Sequence, residues 1–153
     1  MEYVMELRKL VGHRPLILPG AVAIVLDAED RILLQERSDG GWGLPGGLME
    51  LGESLEETAR REVREETGFE IGELELVDVF SGAEQYLKIA NGDELYSVTA
   101  MYVTKTYQGE LVADGTESLQ VRFFAEEELP DELAAGYRRF LERYGKWKKS
   151  RCR

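Results

Sequence analysis

The chain contains one cysteine, one histidine and no long apolar segment. Because Cys152 has no possible partner within the chain, an internal disulfide is excluded, which fits a reducing compartment. Without a run of about 20 apolar residues, a membrane-spanning helix is also excluded. Residues 1–10 mix charged with apolar side chains and lack the basic-then-apolar layout of a signal peptide, so we expect a cytoplasmic protein.

Positive charge is scarce, since 19 Lys and Arg face 30 Asp and Glu, giving a net charge of −11. Such a field repels phosphate backbones and argues against a general nucleic-acid binder. A small anionic substrate would need a cation at its site, and carboxylate oxygens are the preferred ligands of divalent cations. Solubility alone would explain the same composition.

The length of 153 residues suits a single domain, residues 1–153, around one core. Residues 1–15 are expected to form a helix and a connection, and residues 131–153 a helix and a basic tail. Apolar and β-branched runs between these ends predict a β-rich middle. The predicted strands cover residues 16–18, 21–26, 31–37, 74–81, 85–90, 95–106 and 119–124, and helical segments cover residues 126–129 and 133–144.

Residues 54–67 carry the clearest helix signal. Ser54 and Glu57 match the Ser-x-x-Glu pattern of a capping box, and Gly68 supplies a stop. The stretch before the helix, residues 39–47, holds five glycines and predicts a loop or an irregular edge. The apolar stripe of the helix consists of Leu55, Ala59 and Val63.

Three glutamates of this helix, Glu62, Glu65 and Glu66, are spaced i, i+3 and i+4, which predicts that they project from one face. Like charges at this spacing cost about 0.2–0.5 kcal/mol per pair, and a bound cation would remove that cost. Mg²⁺ prefers such oxygen ligands together with waters and substrate phosphates. A solvated acidic face paired with neighbouring arginines is the alternative.

The residues before the helix decide between these readings. Gly47, five residues, Glu53, seven residues and then Arg61-Glu62-Val63-x-Glu65-Glu66-x-Gly68-Phe69 match every position of the Nudix box. The chain therefore resembles the Nudix hydrolases, over residues 47–69 for the box and about 16–130 in all. The resemblance implies an α+β protein, an α/β/α sandwich around a mixed sheet.

The resemblance also implies roles for the residues of the box. Glu65 and Glu66 would bind the metal, joined by Glu62 and the backbone carbonyl of Gly46, with Mg²⁺ as the cofactor and Mn²⁺ as a substitute. Arg61 would pair with Glu53 and a neighbouring carboxylate and fix their orientation. The catalytic base would be either Glu62 or, from a later loop, Glu117.

Substrate contacts are expected from Arg37, which can bind phosphate oxygens, and from Tyr86 and Tyr96, on which a base can stack. The expected reaction is Mg²⁺-dependent cleavage of the pyrophosphate linkage of a nucleoside diphosphate derivative. Nucleoside triphosphates or small nucleotide conjugates are slightly favoured over ADP-ribose, because residues 1–19 are shorter than the swapped section of many ADP-ribose-cleaving relatives. The expected partner is a small nucleotide, and a homodimer is compatible with the sequence.

Two alternatives belong to other classes. A Nudix-like module that binds or senses nucleotides without catalysis would show replaced box glutamates, and none is replaced here. Removal of an RNA cap would require a basic channel, which the net charge disfavours, although residues 146–151 form a local basic patch.

Overall fold

The computed structural model describes residues 2–151; Cys152, on which the disulfide argument rests, lies outside the described residues together with Met1 and Arg153. Three α-helices are present: α1 (Glu2–Val11), α2 (Leu55–Thr67) and α3 (Tyr137–Arg151). Two short 3₁₀ helices cover Ala83–Gln85 and Glu126–Glu128. The strands are β1 (Leu16–Val25), β2 (Ile32–Arg37), β3 (Trp42–Gly43), β4 (Gly46–Leu48), β5 (Phe69–Ile71), β6 (Glu75–Phe80), β7 (Tyr86–Lys88), β8 (Glu94–Thr104), β9 (Tyr107–Gly109) and β10 (Ser118–Phe124).

The main sheet has five strands in the order β4-β1-β8-β6, with β7 also paired to β8. Strands β1 and β8 run parallel along their lengths, and the other pairings are antiparallel, so the sheet is mixed as expected. A three-stranded sheet, β10-β2-β3, and a ribbon of β5 and β9 complete the strands. Within residues 2–151, no helix is long and apolar enough to cross a membrane.

Helices α2 and α3 lie on opposite faces of the main sheet, because successive side chains of β1 point alternately to one helix and to the other. Ala23 and Val25 pack in one cluster with Val63 of α2. Val22 and Ile24, between them in sequence, pack in another cluster with Phe140, Leu141 and Tyr144 of α3. The expected α/β/α sandwich is therefore confirmed. Helix α1 packs separately, through Val4, on Leu18 and Leu95.

Helix α2 begins and ends as the sequence predicts. Ser54 Oγ accepts a 3.1 Å hydrogen bond from the Glu57 backbone N–H, and Glu57 Oε1 accepts a 3.0 Å bond from the Ser54 N–H. This reciprocal capping box satisfies two backbone donors at the helix start. Gly68 adopts a left-handed φ of 84° at the other end, where a side chain would be strained.

Two boundaries differ from the predictions. The strands expected at 16–18 and 21–26 form one strand, because the parallel partner β8 continues past Pro19 and the antiparallel partner β4 pairs only from Gly20 onward. Helix α3 begins at Tyr137 and continues into the predicted basic tail as far as Arg151, the last described residue. The tail is helical because its cations find acidic partners: Lys148 pairs with Glu126, and Arg151 pairs with Glu75.

Candidate active site

Helix α2 places Glu62 and Glu66 on its buried face, where their exposed fractions are 6% and 4%. Glu65 points away, and 55% of its side chain is exposed. At 100° per residue, Glu66 lies only about 40° from Glu62 around the helix, whereas Glu65 lies about 100° from Glu66. The helix therefore brings together two of the three predicted metal-binding glutamates and leaves the third exposed to solvent.

The backbone of the glycine-rich segment lies in close contact with these two carboxylates. A Cβ atom added at Gly47 would lie 2.5 Å from the Glu62 carboxylate, so a side chain has no room there. The backbone N–H of Gly46 donates a 3.0 Å hydrogen bond to Glu66 Oε1, and Gln35 Nε2 donates a 2.8 Å bond to the same oxygen. We call Gln35, Glu62 and Glu66 the carboxylate floor.

The two carboxyl groups of the carboxylate floor, Glu62 and Glu66, resist ionisation. Burial raises the pKa of Glu62, and burial followed by the negative charge of Glu62 raises the pKa of Glu66 to about 9. The hydrogen bonds from Gly46 and Gln35 oppose this shift without cancelling it. Two acidic groups held close together and out of water form a site that gains by accepting positive charge.

Arg61 makes the pairing that the resemblance implies. Its Nε lies 2.5 Å from Glu53 Oε2 and its Nη2 lies 3.0 Å from Glu53 Oε1, a bidentate arrangement. Its Nη1 also lies 2.8 Å from Glu62 Oε1 and 3.4 Å from Glu65 Oε2. The guanidinium group beside Glu53 lowers the pKa of that carboxyl to about 2. Arg61 thereby holds the rotamers of the carboxylates around it.

A cavity of about 640 Å³ opens above the carboxylate floor, a size typical of small-molecule sites. Of the other predicted site residues, Gly46, Arg37, Glu117 and Tyr86 line it. Arg37 is held by two hydrogen bonds to Asp39, at 2.9 and 3.0 Å.

Tyr96 is not among the described residues that line the cavity, although its ring centroid lies 5.4 Å from that of Tyr86. It stands between Leu95 and Ser97 on β8, and both neighbours line the cavity. Because successive side chains of a strand point to opposite faces, Tyr96 faces away from the cavity. The structure therefore gives no support to stacking of a base on Tyr96.

Several lining residues were not anticipated from the sequence: Gln35, Gln85, Ser97, Thr99, Tyr137 and Arg139. One sequence signal was available for two of them. Ser97 and Thr99 lie at i, i+2 spacing with the apolar residues Leu95, Met101 and Val103, so their hydroxyls share the core face of the strand with those side chains. Buried hydroxyls require partners, which makes such positions worth singling out.

The donors of the carboxylate floor fit a divalent cation bound partly by the protein. Within residues 2–151, no three His, Cys, Asp or Glu side chains converge as a complete ligand set. Mg²⁺ commonly takes one or two carboxylates and fills its other positions with waters and substrate phosphates. The buried pair of Glu62 and Glu66 beside a backbone free of side chains supplies that partial set.

Comparison with known proteins agrees with this geometry. The NUDIX domain family model matches residues 17–144. An ADP-ribose pyrophosphatase of Methanocaldococcus jannaschii is 30% identical over 151 residues, 95% of this chain and 84% of that protein. A provisionally named 8-oxo-dGTP diphosphatase of Bacillus subtilis is 36% identical over 72% of this chain and 68% of that protein.

Among solved structures, a MutT NUDIX hydrolase from Burkholderia pseudomallei superposes with a TM-score of 0.71 at 29% identity, covering 85% of this chain and 98% of that one. The family-model match, residues 17–144, includes the whole box, all of α2 and the first part of α3. This chain belongs to the Nudix hydrolase family.

Proposed function

We propose that the protein is a Mg²⁺-dependent pyrophosphohydrolase that cleaves the linkage between two phosphates of a nucleoside diphosphate derivative. Nudix hydrolases generally use divalent metal ions, and the chain is a member of that family. The observation that carries the proposal is the buried pair Glu62 and Glu66 at the floor of a cavity large enough for a nucleotide.

Each residue of the floor has a distinct part in this proposal. Glu62, Glu66 and the Gly46 carbonyl would hold the metal, and Glu65 would have to turn from its exposed position to join them. When bound, the cation neutralises phosphate charge and lowers the pKa of water. Gln35 keeps Glu66 in place through its 2.8 Å hydrogen bond, and Arg61 does the same for Glu62.

For the catalytic base we favour Glu117 over Glu62. Glu117 is exposed and lines the cavity, so its carboxylate can meet a water that approaches a bound phosphate. Its loop is ordered, because Asp114 Oδ1 accepts hydrogen bonds from the backbone N–H groups of Thr116, Glu117 and Ser118. Glu62, by contrast, is already engaged by Arg61 and assigned to the metal.

For the substrate class we propose nucleoside diphosphate conjugates such as ADP-ribose first and modified nucleoside triphosphates second, which reverses the slight preference drawn from the short amino-terminal segment. A relative matched along 84% of its own length is an ADP-ribose pyrophosphatase, and one matched along 68% of its length is named for 8-oxo-dGTP. Arg37 at the cavity wall can contact phosphate oxygens by exchanging its partner Asp39 for the substrate.

RNA is not favoured as the substrate. Four cations of α3, among them Lys148 and Arg151 of the basic patch at residues 146–151, are paired with carboxylates of other elements, which disfavours an open basic track. The four pairs are Arg139 with Glu84, Arg143 with Asp78, Lys148 with Glu126 and Arg151 with Glu75. A small nucleotide remains the expected partner.

The test is a substrate panel of ADP-ribose, diadenosine polyphosphates, nucleotide sugars, and normal and oxidised nucleoside triphosphates. Released products are measured with Mg²⁺, with Mn²⁺ and with EDTA. We expect turnover of one class with either metal and none with EDTA. Nucleotide binding without any metal-dependent turnover would instead establish the non-catalytic binding module.

A further inference from the structure

A chain of buried polar side chains crosses the wall of the cavity opposite the carboxylate floor. Gln85 Nε2 donates a 2.7 Å hydrogen bond to Ser97 Oγ, and Thr99 Oγ1 donates a 3.2 Å bond to the same oxygen. Gln85, Ser97 and Thr99 are only 4–7% exposed, yet all three line the cavity. We call these three residues the Gln85 network.

Arg139 of α3 fixes the orientation of the Gln85 amide. Its Nη2 donates a 2.6 Å hydrogen bond to Gln85 Oε1 and a 2.8 Å bond to the Glu84 backbone carbonyl. Because Arg139 can only donate, the oxygen of the Gln85 amide faces it and the nitrogen faces Ser97. Arg139 therefore sets the polarity of the network.

This polarity leaves hydrogen-bonding capacity for a ligand. Ser97 Oγ accepts both bonds and still carries its own hydrogen, which it can donate. Thr99 Oγ1 donates to Ser97 and keeps lone pairs that can accept. Side by side on one face of β8, the two hydroxyls offer a donor and an acceptor to a planar group with a complementary edge.

The network also lies at a suitable distance from the floor. Thr99 is registered with Gly20 on β1, and Gly20 is registered with Leu48 on β4, next to the Gly47 backbone that contacts Glu62. Two strand spacings amount to about 10 Å. A ribose and its diphosphate separate a base from the scissile linkage by a comparable distance.

Apolar side chains flank the hydroxyls at this end of the cavity. Leu87, Ile89 and Leu95 from the β7–β8 hairpin line one side, and Phe140 of α3 lines the other. A base is flat and apolar on its faces and polar only at its edge, which matches two apolar walls with hydroxyls between them.

We propose that the Gln85 network is the nucleobase-binding subsite, in which Ser97 and Thr99 read the hydrogen-bonding edge of the base and Arg139 positions Gln85. Because the subsite holds the base of the nucleotide described above, it rests on the proposed function. It assigns base selection to Ser97 and Thr99 of β8, with Arg139 of α3 in support, and not to Tyr96.

The experiment measures binding of AMP, GMP, CMP, UMP and ribose 5-phosphate by calorimetry in the presence of Mg²⁺. These ligands contain no pyrophosphate linkage, so binding is read without turnover. We expect the wild-type protein to prefer one base over the others. Thr99→Val, which keeps the bond between Gln85 and Ser97, should weaken binding of the preferred nucleotide about 2- to 10-fold and leave ribose 5-phosphate unchanged.

Thr104→Val is the matched control, because Thr104 is a buried threonine of the same strand that is not among the described cavity-lining residues. Its nucleotide preference should match that of the wild type. Ser97→Ala should also reduce the preference, with melting temperatures recorded for all variants because this change leaves the buried Gln85 amide without its acceptor.

Equal affinity of the wild type for all four bases, or equal loss for nucleotides and ribose 5-phosphate in Thr99→Val, would overturn the subsite. The two proposals fail separately. Base-selective binding without hydrolysis of any pyrophosphate substrate would refute the proposed function and keep the subsite. Hydrolysis with an unchanged KM and base preference in both variants would refute the subsite and keep the function.

Discussion

Gln35 Nε2 donates a 2.8 Å hydrogen bond to Glu66 Oε1, so a residue of the second sheet holds a carboxylate of helix α2 in a site that is almost closed to water. Gln35 is itself 2% exposed, and its carbonyl oxygen Oε1 has no hydrogen-bond partner among the described residues. The contact aligns Glu66 with the cavity above it, and this alignment gives the following expectations about Glu66.

Glu66→Gln is expected to abolish turnover, because the amide keeps the shape of the side chain and loses the charge that binds the metal. Changes in groups that only orient a metal ligand cost about 10- to 100-fold, so loss of a direct ligand should cost on the order of 100-fold or more in kcat/KM. Glu56→Gln, at an exposed position in the same helix, is the control and should retain activity. Near-normal rates in Glu66→Gln would refute the assignment of Glu66 to the metal.

The metal-free protein is expected to lose stability as pH rises. The folded state keeps the Glu66 proton up to about pH 9, whereas an unperturbed carboxyl releases it near 4.5. Between these values the unfolded chain binds fewer protons than the folded one, so the free energy of unfolding falls as pH increases. Below pH 4.5 both states are protonated and the penalty is absent.

Mg²⁺ should reverse this loss, because it binds the ionised form and stabilises the folded state by mass action. Thermal melts at pH 6 and pH 8.5, with and without Mg²⁺, would measure the effect. We expect the larger rise in melting temperature at pH 8.5 in the wild type and a much smaller rise in Glu66→Gln. An equal rise at both pH values would contradict the raised pKa.

Glu53 should contribute to stability with the opposite pH dependence. Arg61 lowers the pKa of Glu53 to about 2, so the contribution is present above 4.5 and is lost as pH falls toward 2. Because the pair is partly open to solvent, we expect Glu53→Gln to lower the free energy of unfolding by about 1–2 kcal/mol at pH 7. Denaturant titrations should show the full difference at pH 7 and a clearly smaller one at pH 2.5, where most of the contribution has been lost.

Gly47→Ala tests the close approach of the backbone to Glu62. The added Cβ would lie 2.5 Å from the carboxylate, so Glu62 must move from the floor. We expect metal affinity to fall about 10- to 100-fold, as for displaced metal-binding groups, while the fold persists. Gly145→Ala is the matched control, since nothing lies within 4 Å of its added Cβ and a helical alanine is favourable. Metal titrations of both variants would measure this loss of affinity, and an unchanged affinity in Gly47→Ala would contradict the role of the close contact.

Glu117→Gln separates the two candidate bases. A general base contributes about 10²- to 10⁴-fold, so loss of Glu117 should lower kcat by that order with little change in metal affinity. Glu62→Gln should instead weaken metal binding. If the Glu117→Gln variant needs a higher Mg²⁺ concentration for turnover and recovers the wild-type rate at high Mg²⁺, then Glu117 is a metal ligand and the base is Glu62.

Local signals predicted much of the fold and the chemical end of the site. The capping box at Ser54 and the stop at Gly68 depend on neighbours in sequence, and both form as expected. The pairing of Arg61 with Glu53 follows from the complete box. The expectation that Glu62, Glu65 and Glu66 share one face was wrong for Glu65, because the three positions span about 100° of the helix and only Glu62 and Glu66 lie beside the buried stripe.

Recognition residues were harder to predict, because they are brought together by long-range strand pairing. The ring of Tyr96 predicts stacking on a base, but the adjacent Ser97 lines the cavity instead. The face of β8 that points to the cavity is set by how β8 pairs with β1 and β7 in the folded sheet. Arg139 reaches Gln85 from 54 positions away in the chain. The sequence alone shows neither which face of a strand points to the cavity nor which helix packs against that face.

The cavity is built from two groups of elements with different tasks. Its carboxylate floor comes from α2 and β2, covered by the backbone of β4, whereas the Gln85 network comes from β8 and the 3₁₀ helix before β7, backed by α3. Substitutions at the second group can therefore alter which base is accepted without disturbing the metal ligands. This division allows duplicated copies of such a gene to diverge in substrate range while the inherited chemistry stays intact.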